Sequence, residues 1–285
     1  MQLGFVSAIL GDLPLEQVLA VAADEGFACV ELMCWPPGAA DRRYAGVTHL
    51  DVSDFTTAAA AEVLDLLRIH RVAISGLGYY PNPLDPDPAH RALVAGHLVK
   101  VFDAAAKLGV GVVNTFVGRD PAATVEGAFE QAKAVWPPLL AAAARAGVTV
   151  GIEHCPMLFT ADEWPGGKNV ASCPAHWRRL FDLFPGAPLG LNFDPSHLVW
   201  QQLDPVAFVL DFADHIFHVH VKESITNLDG RNGVLGSHLG WANPRRGWTF
   251  VSTGHGAVPG EPVFRALNAI GYTGPTSVEG EDAGM

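Results

Sequence analysis

Four short stretches of this 285-residue chain end an apolar run with a group that can bind a hard cation or move a proton. They are Gly151-Ile152-Glu153-His154, Asn192-Phe193-Asp194-Pro195-Ser196-His197, His218-Val219-His220-Val221-Lys222-Glu223 and Ser277-Val278-Glu279-Gly280-Glu281. If each apolar run is a strand of one parallel barrel, the strand ends share a face, and Glu153, Asp194, His220 and Glu279 can meet there. Three carboxylates and one imidazole make a hard, mostly oxygen site. Such a donor set suits one divalent ion, Mn²⁺ first, with Mg²⁺, Co²⁺ and Zn²⁺ as alternatives.

The elements needed to bring these groups together can be read from the hydrophobic pattern. Strands are expected near Leu3 to Val6, Ala28 to Leu32, Val72 to Gly76, Val112 to Phe116, Val148 to Glu153, Leu189 to Asp194, Ile216 to Val221 and Thr276 to Glu279. Segments of helical period lie between them, from Pro14 to Glu25, Ser53 to Arg71, Pro88 to Leu108, Pro121 to Ala146, Pro174 to Phe184, Pro205 to Phe212 and Pro259 to Ile270. Strict alternation implies a parallel sheet, and eight such units close a barrel. Pro14, Pro121, Pro174, Pro205 and Pro259 fall in or near expected first turns, where a fixed φ and a missing donor are tolerated. The reading is one α/β domain over 1–285, a (β/α)8 TIM barrel, with long loops at 155–173 and 223–259 over its mouth. An eighth helix is missing, because only Gly280 to Met285 follow the last strand. Either the chain stops short of the biological terminus or a partner covers that flank.

Bulk composition narrows the function. Hydrophobic residues make up 49% and charged residues 17%, a balance that favours a large buried core. The net charge of -12, without a dense Lys/Arg cluster, argues against nucleic acid as a partner. Cys29, Cys34, Cys155 and Cys173 form no C-x-x-C pair, which points to a reducing cytoplasm rather than a disulfide framework. No basic n-region opens the chain and no apolar run reaches the roughly 18 residues of a membrane span, so no membrane partner is expected.

With Glu153, Asp194, His220-Val221-Lys222-Glu223 and Val278-Glu279-Gly280 in view, the chain resembles the xylose isomerase-like barrel superfamily. The likeness is strongest to the sugar phosphate isomerase/epimerase group that includes ketose 3-epimerases and inosose-converting enzymes. It implies that Glu153, Asp194, His220 and Glu279 bind one divalent metal, and that Glu153 and Glu279 trade a substrate proton from opposite faces. The metal would polarise a carbonyl and stabilise the enediolate. His197 matches a histidine that contacts substrate oxygen, and Lys222 is read equally as a group that reaches substrate oxygen or as an ion-pair partner at the rim. The expected activity is isomerisation or epimerisation of a small keto-sugar or keto-polyol. The alternative is a lyase using the same enediolate to dehydrate an inosose or cleave a 3-keto-glycoside. A non-catalytic binding barrel or a DNA-repair endonuclease fits less well; the latter needs more ligands and a basic surface.

Other residues carry weaker expectations. Trp35, Tyr79 and Trp164 are candidates for the aromatic walls of a sugar site, with Tyr79 equally a core residue. The 223–259 loop contains His238, Trp241, Arg245, Arg246, Trp248 and His255; it reads as a lid with Arg245 or Arg246 on substrate, or as an oligomer contact. A homo-oligomer is expected. His218 reads as a packed histidine one layer below His220, and His154 as a supporting or loop residue. Glu31 is either a polar substrate contact or a rim ion-pair partner, and Asn114 a weak candidate for a substrate hydroxyl.

Overall fold

A computed structural model describes residues 1–38, 45–157, 167–236, 238–241 and 243–283. Trp164 lies outside them. The chain begins with β1 (Gln2–Val6), α1 (Leu15–Asp24), β2 (Cys29–Met33), α2 (Thr57–His70), β3 (Ala73–Gly78) and α3 (Pro88–Leu108). It continues through β4 (Val112–Thr115), α4 (Val125–Ala146), β5 (Thr149–Glu153), α5 (Pro174–Leu183), β6 (Leu189–Phe193), α6 (Ser196–Val199) and α7 (Pro205–Asp211). The last elements are β7 (Ile216–Val221), β8 (Glu223–Thr226), β9 (Trp248–Val251), α8 (Gly260–Ala269) and β10 (Pro275–Val278).

Eight strands close a parallel barrel in the order β1-β10-β7-β6-β5-β4-β3-β2. Closure is made by β1 on β10, with Gln2 opposite Pro275 and Phe5 opposite Val278. Side chains alternate along each strand. Val30, Leu32, Val150, Ile152, Leu191, Phe193 and Val219 join the apolar layer that packs against the helices. Glu31, Ser75, Asn192, His218, His220 and Ser277 hydrogen-bond to one another or to their neighbours inside the barrel. The barrel thus has a dry outer shell and a polar interior.

Helix boundaries follow local chemistry. Pro174 and Pro205 open α5 and α7, while Pro14 and Pro259 occupy the N-cap positions of α1 and α8. Pro121 is different: it lies in a turn ahead of α4, and Thr124 caps that helix by accepting from Gly127 N at 3.0 Å. A side-chain acceptor at the N-cap stabilises the first turn more than proline does, so the helix starts later than the proline alone implies. No helix follows β10 among the described residues. Instead Asp282 Oδ2 accepts from Ser252 N and Oγ, at 2.8 and 3.0 Å, and ties this stretch to the residues after β9.

The 223–259 segment contains a feature that the sequence pattern did not suggest. β8 and β9 form an antiparallel hairpin, Glu223 opposite Val251 and Thr226 opposite Trp248. Its inner face places Trp248 in a stack on Trp200, centroids 4.4 Å apart, and Phe250 near Trp241 at 5.4 Å.

Close approach governs one strand position. A Cβ on Gly151 of β5 would clash with Asn114 Oδ1 from β4, well inside van der Waals distance, with Asn192 Cβ and N 3.4 Å away. Gly151→Ala is therefore expected to destabilise the barrel by about 1–3 kcal/mol. A urea melt that shows no loss would contradict this packing of Asn114 over Gly151.

Candidate metal centre at the barrel mouth

Glu153 is the last residue of β5, Asp194 follows β6, His220 is the penultimate residue of β7 and Glu279 follows β10. One ligand atom from each of the four lies within 4.8 Å of all the others. Glu153, Asp194 and His220 are buried, and the Glu279 side chain is 15% exposed. Strand ends deliver the backbone; hydrogen bonds then aim each group. Asp194 N donates to His154 Nε2 at 3.0 Å, and Ser196 N donates to Asp194 Oδ1 at 2.8 Å. That leaves Asp194 Oδ2 pointing into the cluster without a hydrogen-bond partner. His197 Nε2 lies 2.9 Å from Glu153 Oε1 and 3.0 Å from Asp194 Oδ2, bracing both carboxylates from behind.

On the opposite side, Lys222 Nζ pairs with Glu279 Oε1 at 3.0 Å and Glu281 Oε2 at 3.1 Å, and sits 4.4 Å over the Phe250 ring. Glu279 Oε2 and His220 Nδ1 approach to 2.9 Å, yet neither makes a hydrogen bond. Buried polar atoms are nearly always partnered. Asp194 Oδ2, His220 Nδ1 and Glu279 Oε2 meet at one point in ion-pair contacts but without a hydrogen bond, and a divalent cation would supply the missing partner. The carboxylate-rich donor set fits it as well.

The electrostatics divide the two glutamates. Burial, reinforced by Glu279, raises the Glu153 carboxyl above its ordinary value even though His197 opposes the shift. Burial also penalises Glu279, but the Lys222 ammonium and His220 outweigh it and bring that carboxyl down to about 2. Burial lowers His154 to about 3 and His218 to about 4, so both are neutral near pH 7.

Below the cluster, His220 Nε2 lies 2.7 Å from Glu31 Oε2, and Tyr80 Oη donates to Glu31 Oε1. Asn192 Nδ2 donates to Tyr80 Oη at 3.1 Å, and His218 Nδ1 meets Asn192 Oδ1 at 2.8 Å. His218 Nε2 is 3.3 Å from both Ser75 Oγ and Ser277 Oγ. Above the cluster opens a small cavity of about 50 Å³. Met33, Trp35, Tyr80, Phe116 and Met157 line its walls, and Glu153, His220, Lys222, Glu279 and Glu281 line its polar side.

Several residues singled out in the sequence fall differently from expectation. Trp35 and Lys222 line the cavity. Tyr79 is core, packed on Trp35 and His97, and its neighbour Tyr80 faces the cavity because alternation continues past β3. His197 is fully buried behind the carboxylates instead of lining this cavity. Glu31 is no rim group: it is fully buried beneath His220. Neither arginine lines the cavity. Arg245 is exposed. Arg246 is buried in the loop, donating to Gly236 O at 3.1 Å, Leu239 O at 2.8 Å and Trp248 O at 3.2 Å, with its guanidinium 3.9 Å from the Trp241 ring. Short spacing to Trp241 and Trp248 was the available signal for that role. His154 stacks near Trp177 and supports Asp194 from outside the barrel.

The fold is a closed parallel barrel with a candidate metal cluster at its mouth, and comparison with known proteins names the group: the chain belongs to the xylose isomerase-like TIM barrel family, whose model matches residues 19–284. A Bacillus subtilis (strain 168) protein, YfiH, described as uncharacterized, is 27% identical over 308 aligned positions, covering 100% of this chain and 94% of its own. An inosose dehydratase of Clostridium beijerinckii is 32% identical over 91 residues, 32% of this chain and 30% of that protein. Among solved structures, a D-tagatose 3-epimerase-like protein superposes with a TM-score of 0.69 at 18% identity, covering 99% of this chain and 91% of its own. The IolI protein, whose structure carries a zinc atom, gives a TM-score of 0.70 at 16% identity, covering 100% and 90%. The group therefore includes sugar isomerases, epimerases and inosose dehydratase-like enzymes. Among the described residues no helix is long and apolar enough to cross a membrane.

Arg246→Ala removes the donor that gathers three loop carbonyls. It is expected to speed proteolysis and amide exchange across 227–247 while the barrel's melting temperature stays nearly unchanged. Unchanged protection in that loop would contradict the role assigned to the guanidinium.

Proposed function

We propose that this chain is a divalent-metal-dependent isomerase or epimerase of a small, uncharged keto-sugar or keto-polyol. The observation that carries the reading is the convergence of Glu153, Asp194, His220 and Glu279 beside a cavity with aromatic and thioether walls. When bound there, a divalent ion, Mn²⁺ first and Mg²⁺, Co²⁺ or Zn²⁺ as alternatives, would polarise a substrate carbonyl and stabilise the charge left by proton removal.

The chain's own groups do the rest. Glu153, with its raised proton affinity, is suited to take a proton from the carbon next to the carbonyl. Glu279, across the cluster, returns one from the other face. Trp35 and Tyr80 present rings to the apolar side of a sugar, and the walls exclude water. Among the described residues, Lys222 is the Lys or Arg that lines the cavity, and two carboxylates already hold it. This favours an uncharged substrate over a phosphorylated one. We further assign the chain to one working barrel domain in a reducing cytoplasm that suits its four free thiols; residues 158–166 of the expected 155–173 loop lie outside the described residues.

One observation favours elimination as a second reading. Lys222 holds Glu279 Oε1 and keeps that carboxyl near a pKa of about 2, which makes Glu279 a weak base. Glu153 would then act alone, taking the proton from carbon and, once protonated, giving it to a departing hydroxyl. The sequence likeness to an inosose dehydratase agrees with this reading over about a third of the chain.

Keto-polyols and keto-sugars incubated with the metal-loaded protein in D₂O separate the two readings. Deuterium incorporated with inversion or carbonyl migration marks the isomerase, and a dehydrated product marks the lyase. Glu153→Gln is expected to lower turnover by about 10²- to 10⁴-fold under either reading. Glu279→Gln should cost as much in an epimerase. Near-normal rates in Glu153→Gln would remove this account of proton transfer.

A further inference from the structure

Resting on the proposed metal centre, we infer that Glu31 is a positioning residue that fixes His220 for the cation. The acceptor Oε2 of Glu31 lies 2.7 Å from His220 Nε2. A carboxylate at that distance takes the Nε2 hydrogen, which leaves Nδ1 with its lone pair facing Asp194 and Glu279. The nitrogen that meets a metal is set by the hydrogen bond that the other nitrogen makes.

Glu31 reaches His220 across the barrel interior, because β1 and β10 stand between β2 and β7 in the sheet order. It is fully buried, where an ionised carboxylate is tolerated only if hydrogen-bonded. Both of its oxygens are used. Oε1 accepts from Tyr80 Oη, Tyr80 Oη accepts from Asn192 Nδ2 at 3.1 Å, and Asn192 Oδ1 is taken by His218 Nδ1 at 2.8 Å. Asn192 Nδ2 also lies 3.0 Å from His220 Nε2. With its Oδ1 engaged by His218, that amide nitrogen can only donate, so it competes with Glu31 for the imidazole face and is satisfied by Tyr80. The shorter, charged contact with Glu31 decides the proton's place. His218 is in turn seated on Ser75 and Ser277, at 3.3 Å each. A connected set of side chains therefore holds Glu31 in one rotamer under His220.

The same geometry separates this role from plain packing. A packing residue would affect apo stability, whereas a residue that orients a ligand affects metal affinity in a protein that is already folded. Mn²⁺ titration of the chelated protein, with apo melting temperature and the visible spectrum of the Co²⁺ form, distinguishes them. Glu31→Leu should weaken Mn²⁺ binding by about 10- to 100-fold and alter the Co²⁺ spectrum. Glu31→Gln, whose amide oxygen still accepts from His220, should lose less, and Tyr80→Phe, which releases only Oε1, a few-fold. Glu31→Gln and Tyr80→Phe decide the matter if Glu31→Leu does not fold. Mn²⁺ affinity unchanged in folded Glu31 variants would overturn this role and leave the metal centre standing. No Mn²⁺ binding by the unmodified chain would remove both.

Discussion

Three carboxylates whose oxygens approach within 4.8 Å of an imidazole and of one another repel strongly once water is excluded. At 4 Å and an effective dielectric near 20, each like-charged pair costs about 4 kcal/mol. Everything around the mouth of this barrel answers that repulsion. His197 braces Glu153 and Asp194, Lys222 holds Glu279 and Glu281, and Ser196 N takes the outer oxygen of Asp194. Asp194 Oδ2, in ion-pair contact with His197, and Glu279 Oε2 lie beside His220 Nδ1 and make no hydrogen bond. Compensation stands on the periphery, and the proposed cation would complete the centre.

The barrel beneath is built to hold that arrangement still. A barrel interior is usually filled by layers of branched aliphatic side chains. Here the layer under the site is Ser75, Asn192, His218 and Ser277, joined to Glu31 and Tyr80 by hydrogen bonds. Burial keeps His218 neutral, so it can bridge Asn192 and the serines without adding charge to a crowded site. The apolar groups are displaced outward, where they pack the helices onto the strands. Lys222 links site and hairpin: its ammonium pairs with Glu279 and its face rests on Phe250 of β9. One side chain thereby touches both a member of the cluster and the β8–β9 hairpin.

Much of this was legible in the sequence because strands written as apolar runs end in charged residues, and parallel closure turns that into proximity. The eight strands and the convergence of Glu153, Asp194, His220 and Glu279 follow from that rule. Glu31 was visible as an acid ending a buried strand, but its partner His220 is distant in sequence, and no local pattern encodes a bond across the barrel interior. Tyr79 and Tyr80 obey the period of two, one entering the core and the other the cavity, but the sequence does not say which of the two faces inward. Arg246 was misleading for a simpler reason. A guanidinium beside tryptophans can serve a substrate or a loop, and only the positions of the Gly236 and Leu239 carbonyls decide between them. The β8–β9 hairpin was hidden because its strands are short and separated by a long intervening segment.

The central claim is that the charge of this cluster is completed by one divalent ion. Equilibrium titration of chelated protein with Mn²⁺, read by elemental analysis after dialysis, tests it most directly. The account expects one ion per chain in the unmodified protein and little or none after Asp194→Ala. Retention of a full equivalent by Asp194→Ala, or no bound ion in the unmodified chain, would contradict it.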